Sequence, residues 1–547
     1  MSFLFFLPAF IGSCNLSVGN AETYIRANQV GYNTSDQKTA VIMTTKPIYW
    51  RKFKIEDTNG RTVYGSKLSK DMGKSLAFPH HYIADFSSIT SDGTYHVRVS
   101  DNISKPFRIG NRVYKSIPDS LLRFFRVQRC GNTQPLYHRP CHLKDPSQIL
   151  GDSSRRAGSG IDLTGGWHDA ADYVKYVNTT AHTAYLMLLT YNMNPHLFPD
   201  LDGNGLSDIL DEAKIGLDWM MKMHYAPDKL LIQVQDLRDH SVGWRLPEKD
   251  PLVDKRPAYD LPSRSLCGSF SATMALASQV FSNEGSIIYS SRCLRYAREV
   301  YELSKSDIPA VSSGPDSMYY DKDDWDNLAL AGVELYIATD EQRYLNDAIK
   351  LADKSDPVHW FSWGNLGGLA YARLTPFHPA SKEKLESSLD WFNFNAAINP
   401  FGYPLKNYPW GSASVQMGVA ILAILHYTNT GSSLYLNLAV NQRDFVLGKN
   451  SHGVSFIAGF GHNYPQFFHN QVSYLARKPL PGGFAEGFIS RVEFDRYNIV
   501  LERPDRFARF QSDEAVYHDD KNDYLCNEPT ISGNAQALFV FAWFNGK

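Results

Sequence analysis

The 547-residue sequence has no surplus of either charge, 55 Lys and Arg standing against 57 Asp and Glu. Nucleic-acid binding draws on clustered positive charge, so that class is excluded and a neutral partner fits better. Membrane-length apolar runs are missing as well. The run Phe3–Ile11 (FLFFLPAFI) is too short to cross a bilayer and contains Pro8. It reads as the apolar stretch of a signal peptide over residues 1–21. Cleavage follows Ala21, or precedes Cys14 in Ile11-Gly12-Ser13-Cys14, a pattern like a bacterial lipoprotein box. Either reading predicts export: secreted, periplasmic, or anchored to the cell surface by lipid at Cys14, with no membrane span. Cysteine is scarce. Of the six, Cys267, Cys293 and Cys526 are scattered singly and read as buried thiols, which leaves Cys130 and Cys141 as a pair to explain. Aromatic residues, by contrast, are abundant. With 31 Tyr, 31 Phe and 10 Trp the chain can fill its core and still present stacking faces to sugar rings.

Residues 22–109 alternate apolar and polar in short runs such as YIRANQVGY, TAVIMTT and TYHVRVS, broken at Asn59-Gly60, Asp92-Gly93 and Asp101-Asn102. This pattern predicts a small β-sandwich, a structural or docking module without chemistry. From residue 110 to 547 the period changes to that of helices. About a dozen amphipathic segments follow, one of them carrying Leu206, Leu210, Ala213, Leu217 and Met220 on one stripe. Paired helices in such number, without strands between them, predict a mainly α helical toroid or solenoid.

Two segments carry chemistry. Gly165-Gly166-Trp167-His168-Asp169-Ala170-Ala171-Asp172 sets two carboxylates three residues apart after a Gly-Gly break, so one can take a proton from a water that the other orients. An isolated DxxD is also a common helix cap. Near the other end, Tyr517 to Glu528 places one Glu among aromatics, where its pKa would rise as a general acid requires.

Together these segments resemble glycoside hydrolase family 9, the family of many cellulases. Tyr517, Asp519, Tyr524, Glu528, Thr530 and Asn534-Ala535 match its C-terminal pattern, and GGWHDAADYVKY resembles its base motif with Ala171 at a usual Gly. The resemblance runs from Tyr114 to Phe544, and the sandwich is similar to the Ig-like domain of one family branch. It implies an (α/α)6 barrel and an inverting hydrolase of β-1,4-glucan, with Asp172 as base, Asp169 as its helper and Glu528 as acid. No organic cofactor is implied. Inversion also requires the carboxyls to face each other across one bond and one water. The alternatives are an exo-acting β-glucosidase or glucosaminidase, and a catalytically weak carbohydrate-binding protein.

Cys130, Cys141, His142 and His168 form a donor set suited to tetrahedral zinc; thiols or a disulfide are the competing reading. Family branch members carry a structural zinc at residues of these types, and here it would brace the catalytic loop. Asp200, Asp202, Asn204, Asp208 and Asp211 resemble a calcium loop that lacks its closing Glu, and read equally well as a Gly-broken turn before a helix. The calcium loop common in relatives after the RPE segment is SRSLCGSFSAT here, without its acidic pair.

The resemblance further implies a sugar-binding cleft lined by Asp239, His240, Trp244, Arg245 and Glu248, with Trp363, Trp410, His469 and Tyr524 in similar loops. Gln471 stands where family cellulases usually have Arg, and Ala458 where Thr is common. Losing the guanidinium removes up to five donors and a charge, so one subsite must differ.

Overall fold

The computed structural model describes residues 21–151, 160–312 and 314–546; residues 1–20 of the signal segment, Cys14 among them, lie outside these. The N-terminal unit contains nine strands: β1 Thr23–Arg26, β2 Gly31–Asn33, β3 Thr39–Thr44, β4 Lys52–Asp57, β5 Thr62–Lys67, β6 His80–Asp85, β7 Gly93–Val99, β8 Asn102–Ile103 and β9 Phe107–Gly110. They form two sheets, β1-β3-β6 and β2-β9-β7-β4-β5, with β8 beside β7. Asn59-Gly60 turns the β4–β5 hairpin and Asp101-Asn102 the β7–β8 hairpin. Asp92-Gly93 instead lies where the chain crosses from one sheet to the other.

Strand β3 shows why this unit is no loose appendage. All six of its residues are buried. Ala40 and Ile42 join the sandwich core with Phe53, Ile55, Tyr82 and Val97, whereas Val41 and Met43 join the core of the helical unit. Period-two alternation thus feeds two cores from one strand. The seam also holds buried charges, each with an opposite neighbour. Arg443 pairs with Asp36 at 2.6 Å and Asp444 at 2.7 Å, and Asn28 donates to Asp444 at 2.8 Å.

The long helices are α1 Ile117–Gln128, α2 Val177–Met193, α3 Asp208–Met223, α4 Arg264–Asn283, α5 Ile287–Leu303, α6 Trp325–Thr339, α7 Gln342–Asp353, α8 Gly367–Leu374, α9 Pro379–Ile398, α10 Ser412–Thr430 and α11 Leu436–Val446. After the short α12 Gln471–Ala476, α13 Arg491–Arg496 and α14 Tyr524–Asn527 comes α15 Ile531–Asn545. Helices α2, α4, α6, α8, α10 and α15 each pack on the next, and α15 closes back on α2. Outside them, α3, α5, α7, α9, α11 and α1 back the ring one by one.

Sequence explains the two kinds of helix. In α2, α10 and α15 nearly every residue is buried, as apolar helices surrounded on all sides must be. Helices such as α3 and α7 bury one face only. The inner helices are therefore not amphipathic, contrary to the expectation for the whole run. A second difference is a small sheet inside the helical unit, β10 Ile149–Leu150, β11 Lys175–Tyr176, β12 Gln233–Val234 and β13 Ala258–Tyr259, in the order β10-β13-β12-β11. Two-residue strands are too short to leave an alternation signal. No helix among the described residues is long and apolar enough to cross a membrane.

Candidate active site

The DxxD segment is a loop and not a helix cap. Gly165 and Gly166 have φ of 99° and 74°, and a Cβ on Gly166 would sit 2.7 Å from the Trp219 ring, so the Gly-Gly break is needed on both counts. The loop closes on itself through Asp169 N–H to Val174 O at 2.9 Å and then enters β11. Pairing of β11 with β12 sets this loop beside the 235–250 loop.

Behind the loop, every charge is compensated. Asp145 pairs with Lys175 at 2.8 Å and Arg256 at 3.0 Å, all three fully buried, and Arg256 donates to Tyr173 O at 2.6 Å. Arg245 pairs with Asp239 and, at 2.8 Å, with Asp250, and its guanidinium covers the Tyr173 ring. The side chains of Cys130, Cys141, His142 and His168 converge, their donor atoms all within 4.8 Å of one another. His142 Nε2 meets Asp250 at 3.0 Å, leaving Nδ1 toward the cluster. Burial holds His168 down at about 4, in the neutral form that a metal accepts. The donor set and its orientation fit a tetrahedral zinc ion.

In front of the loop lies a cavity of about 870 Å³. Asp172, His240, Trp244, Arg245, Trp363, Trp410, His469, Gln471, Tyr524 and Glu528 line it, as do Trp360, Tyr319 and Glu486; Glu248 does not. Asp169 sits one layer behind, accepting from Thr179 Oγ1 at 2.5 Å and from the Tyr319 hydroxyl. Burial, and secondly the charge of Asp172, push its carboxyl up to about 7. His240 Nε2 contacts Asp172 Oδ2 at 3.1 Å, which raises the imidazole to about 9 and keeps it charged at neutral pH.

Glu528 lies 357 residues from Ala171, yet its Oε1 accepts the Ala171 N–H at 3.0 Å. Ile531 N–H, at the start of α15, donates to Asp169 O at 2.9 Å. The acid segment and the carboxylate loop are thus stitched together at two points. Burial first, then Asp172 and Glu486, hold the Glu528 carboxyl well above the usual range. The segment before it is fixed by Asp523, which caps α14 and pairs with His518 at 2.8 Å. His518, Asp523 and the Cys526 thiol form the other buried group of potential metal donors among the described residues.

The aromatic residues stand around this floor in edge-to-face contacts, Trp244 with His469 and Trp363 with Tyr319. Trp410 is 37% exposed at the rim, beside Tyr524. Two lining residues differ from what a sugar-binding role alone suggests. Each guanidinium nitrogen of Arg245 donates to a protein acceptor, among them Asp250, Asp239 O and Gly243 O. Gln471 is buried and joins two loops, its Nε2 donating to Ala171 O at 2.5 Å and its Oε1 accepting from Arg245 N–H at 2.8 Å.

The predicted calcium residues lie apart from the cavity. In that exposed loop Asp200 accepts the N–H groups of Gly203, Asn204 and Gly205, and Asp208, the first residue of α3, accepts that of Leu201. Asn204 donates to Asp211 at 2.7 Å.

Sequence reasoning missed Tyr319, Thr179 and Glu486. Tyr319 comes from a loop without a motif. Thr179 sits inside α2, where it reads as ordinary helix. Glu486 sits in a glycine-rich stretch, where only its isolation as an acid among apolar residues could have drawn notice.

Residues 114–541 match the sequence profile of glycosyl hydrolase family 9, and residues 20–104 that of the cellulase N-terminal Ig-like domain. The chain belongs to glycosyl hydrolase family 9. It is a glycoside hydrolase with an Ig-like domain before its helical unit. Among its relatives is a xyloglucan-specific endo-β-1,4-glucanase of Bacteroides ovatus, 27% identical over 95% of this chain and 93% of that protein. A metagenome-derived family 9 endoglucanase of known structure superposes with a TM-score of 0.81 at 26% identity, covering 96% of this chain and 99% of the other. A zinc-binding triple mutant of the family 9 endoglucanase J30 gives 0.79 at 27% identity, covering 94% and 99%.

Proposed function

We propose that this enzyme cleaves β-1,4-linked glucan by single displacement with inversion, inside an (α/α)6 barrel formed by the closed ring of six helix pairs. The observation that carries the proposal is the Ala171–Glu528 hydrogen bond, which sets the acid on the rim of the loop that bears the base. Asp172 takes a proton from water as that water's oxygen bonds to the anomeric carbon. Asp169, with lone pairs left beyond Thr179 and Tyr319, orients the same water. Glu528, kept protonated by burial, gives its proton to the departing oxygen as the glycosidic bond breaks. His240 balances the Asp172 charge, and the aromatic walls hold sugar rings by their faces.

Zinc held by Cys130, Cys141, His142 and His168 belongs to this proposal as a brace, tying the segment before Asp169 to the 130–142 loop and taking no part in the reaction. In the loop of Asp200, Asp202, Asn204, Asp208 and Asp211, the other expected metal site, Asp200 accepts the turn's own N–H groups and calcium would add to these contacts. Export, with or without lipid at Cys14, completes the reading.

The test is hydrolysis of barley glucan, xyloglucan, carboxymethylcellulose and chitosan oligomers, with product size and anomeric configuration followed by NMR. An early fall in polymer viscosity with inverted products is expected. Retained anomers would overturn the mechanism. Release of monomer alone would identify exo action, and turnover of chitosan oligomers alone a glucosaminidase.

A further inference from the structure

The two most exposed aromatic side chains among the described residues are neighbours, Tyr49 and Trp50, each 86% exposed on the β3–β4 turn of the sandwich. Exposed apolar residues are ordinary when scattered, but a Tyr-Trp pair held out into water is a large apolar surface with polar tips. The backbone beneath it is fixed. Ile48 N–H donates to the Tyr82 hydroxyl at 3.0 Å, and β4 begins at Lys52, immediately after the turn. The pair is thus presented on a firm base.

Its surroundings are cationic. Arg51 and Lys52 follow directly, Lys52 is opposite Lys67 in the β4–β5 register, and Lys70 lies just beyond; all four are exposed. Asp71, which also accepts from the Tyr82 hydroxyl at 3.3 Å, is paired with His80 at 2.6 Å. Trp and Tyr favour the interface between water and lipid, and each basic residue near an anionic membrane surface adds attraction. A neutral glucan chain would gain from the rings but nothing from the charges.

The turn is also adjacent to where the chain enters the fold. Thr45 and Glu22 are joined by two hydrogen bonds, Glu22 N–H to Thr45 Oγ1 at 3.0 Å and Thr45 N–H to Glu22 O at 3.1 Å. Cys14 precedes Glu22 by eight positions, so a lipid there would keep this edge within about 30 Å of the surface to which the chain is tethered.

We propose that the Tyr49–Trp50 turn, with Arg51, Lys52 and Lys67, is a membrane-contact site for anionic phospholipid. It binds beside any covalent anchor and sets which side of the enzyme faces the bilayer.

The experiment uses the chain from Glu22 onward, without the apolar signal segment and Cys14 so that neither it nor an acyl group binds lipid, and sucrose-loaded vesicles of phosphatidylcholine with one-quarter phosphatidylglycerol. Sedimentation with these vesicles is expected, with a blue shift of tryptophan emission, and binding at least about tenfold weaker to phosphatidylcholine alone or in high salt. Adding Tyr49→Ser and Trp50→Ser should abolish the shift and lower binding about tenfold or more, while glucan hydrolysis in solution stays unchanged. Equal sedimentation with and without the two substitutions would overturn the proposal. So would absent vesicle binding, or a loss confined to adhesion on insoluble cellulose, which would make the turn a glucan platform. None of these outcomes depends on the assignment of Asp172 and Glu528.

Discussion

The two sides of the Gly165–Tyr176 loop are built on opposite electrostatic terms. On the back, Asp145 meets Lys175 and Arg256, and Arg245 meets Asp239 and Asp250. On the front, Glu528, half-buried at the cavity, and the buried Glu486 have only neutral hydrogen-bond partners, Asp169 just behind them is in the same state, and Asp172 alone has a cation, His240. A desolvated carboxyl without a cation holds its proton to higher pH. The paired side therefore holds the loop still, and the unpaired side keeps protons to higher pH, as the proposed acid Glu528 requires.

The largest effect should come from the front, from Glu528, which has no cation, and from Asp172, which faces His240 at 3.1 Å. Glu528→Gln keeps the shape and the Ala171 contact but has no proton to give, and Asp172→Asn cannot take one. We expect each to lower kcat by about 10³-fold or more with little change in melting temperature. Near-normal turnover of either variant would remove it from the mechanism.

The paired side should respond in the opposite way. Arg256→Met leaves Asp145 with one cation and Tyr173 O without its donor. Breaking a buried pair from one side costs about 3–5 kcal/mol, so calorimetry should show a clear fall in melting temperature. If stability held while kcat alone collapsed, the division between the two sides would be wrong. Gln471→Ala probes the join between them. It frees the Ala171 carbonyl and the Arg245 N–H, each worth roughly 1–2 kcal/mol when buried, and should lower kcat about tenfold through a loosened loop. A rise in KM at constant kcat would instead make Gln471 a sugar contact.

How much of this was legible beforehand follows the same division. Asp169 with Asp172, Tyr517 through Glu528 and the Cys130–His168 donor set were legible through their resemblance to family motifs and not from spacing alone, since a lone DxxD reads as well as a helix cap and two cysteines as free thiols. The alternation of β3 was visible, but not that its two faces would feed two cores, since period two tells faces apart without naming what covers them. The role of Arg245 was not legible either. An Arg beside a Trp in a cleft motif suggests a substrate cation, and only the fold brings Asp250 to 2.8 Å from it. Tyr319 reaches Asp169 from 150 positions away, a distance over which no local pattern extends.

Glu486 gives the finest test, because it belongs to the unpaired side without being assigned a step. Its Oε1 accepts from Thr530 at 3.0 Å, and burial pushes its carboxyl up to about 7. Two consequences follow from one substitution, Glu486→Gln. A carboxyl whose folded pKa is raised stabilises the fold below its unfolded value near 4.3 and loses that contribution as pH rises through about 7. The variant should therefore melt a few degrees higher than the parent at pH 8 and little differently at pH 4. Glu486 also repels charge on Glu528, so its removal lets Glu528 ionise more readily. The alkaline limb of kcat/KM should then move to lower pH by roughly half a unit. A stability gain without that movement would leave Glu486 a buried acid of no account to the reaction, and a movement toward higher pH would contradict the assignment of Glu528 as the proton donor.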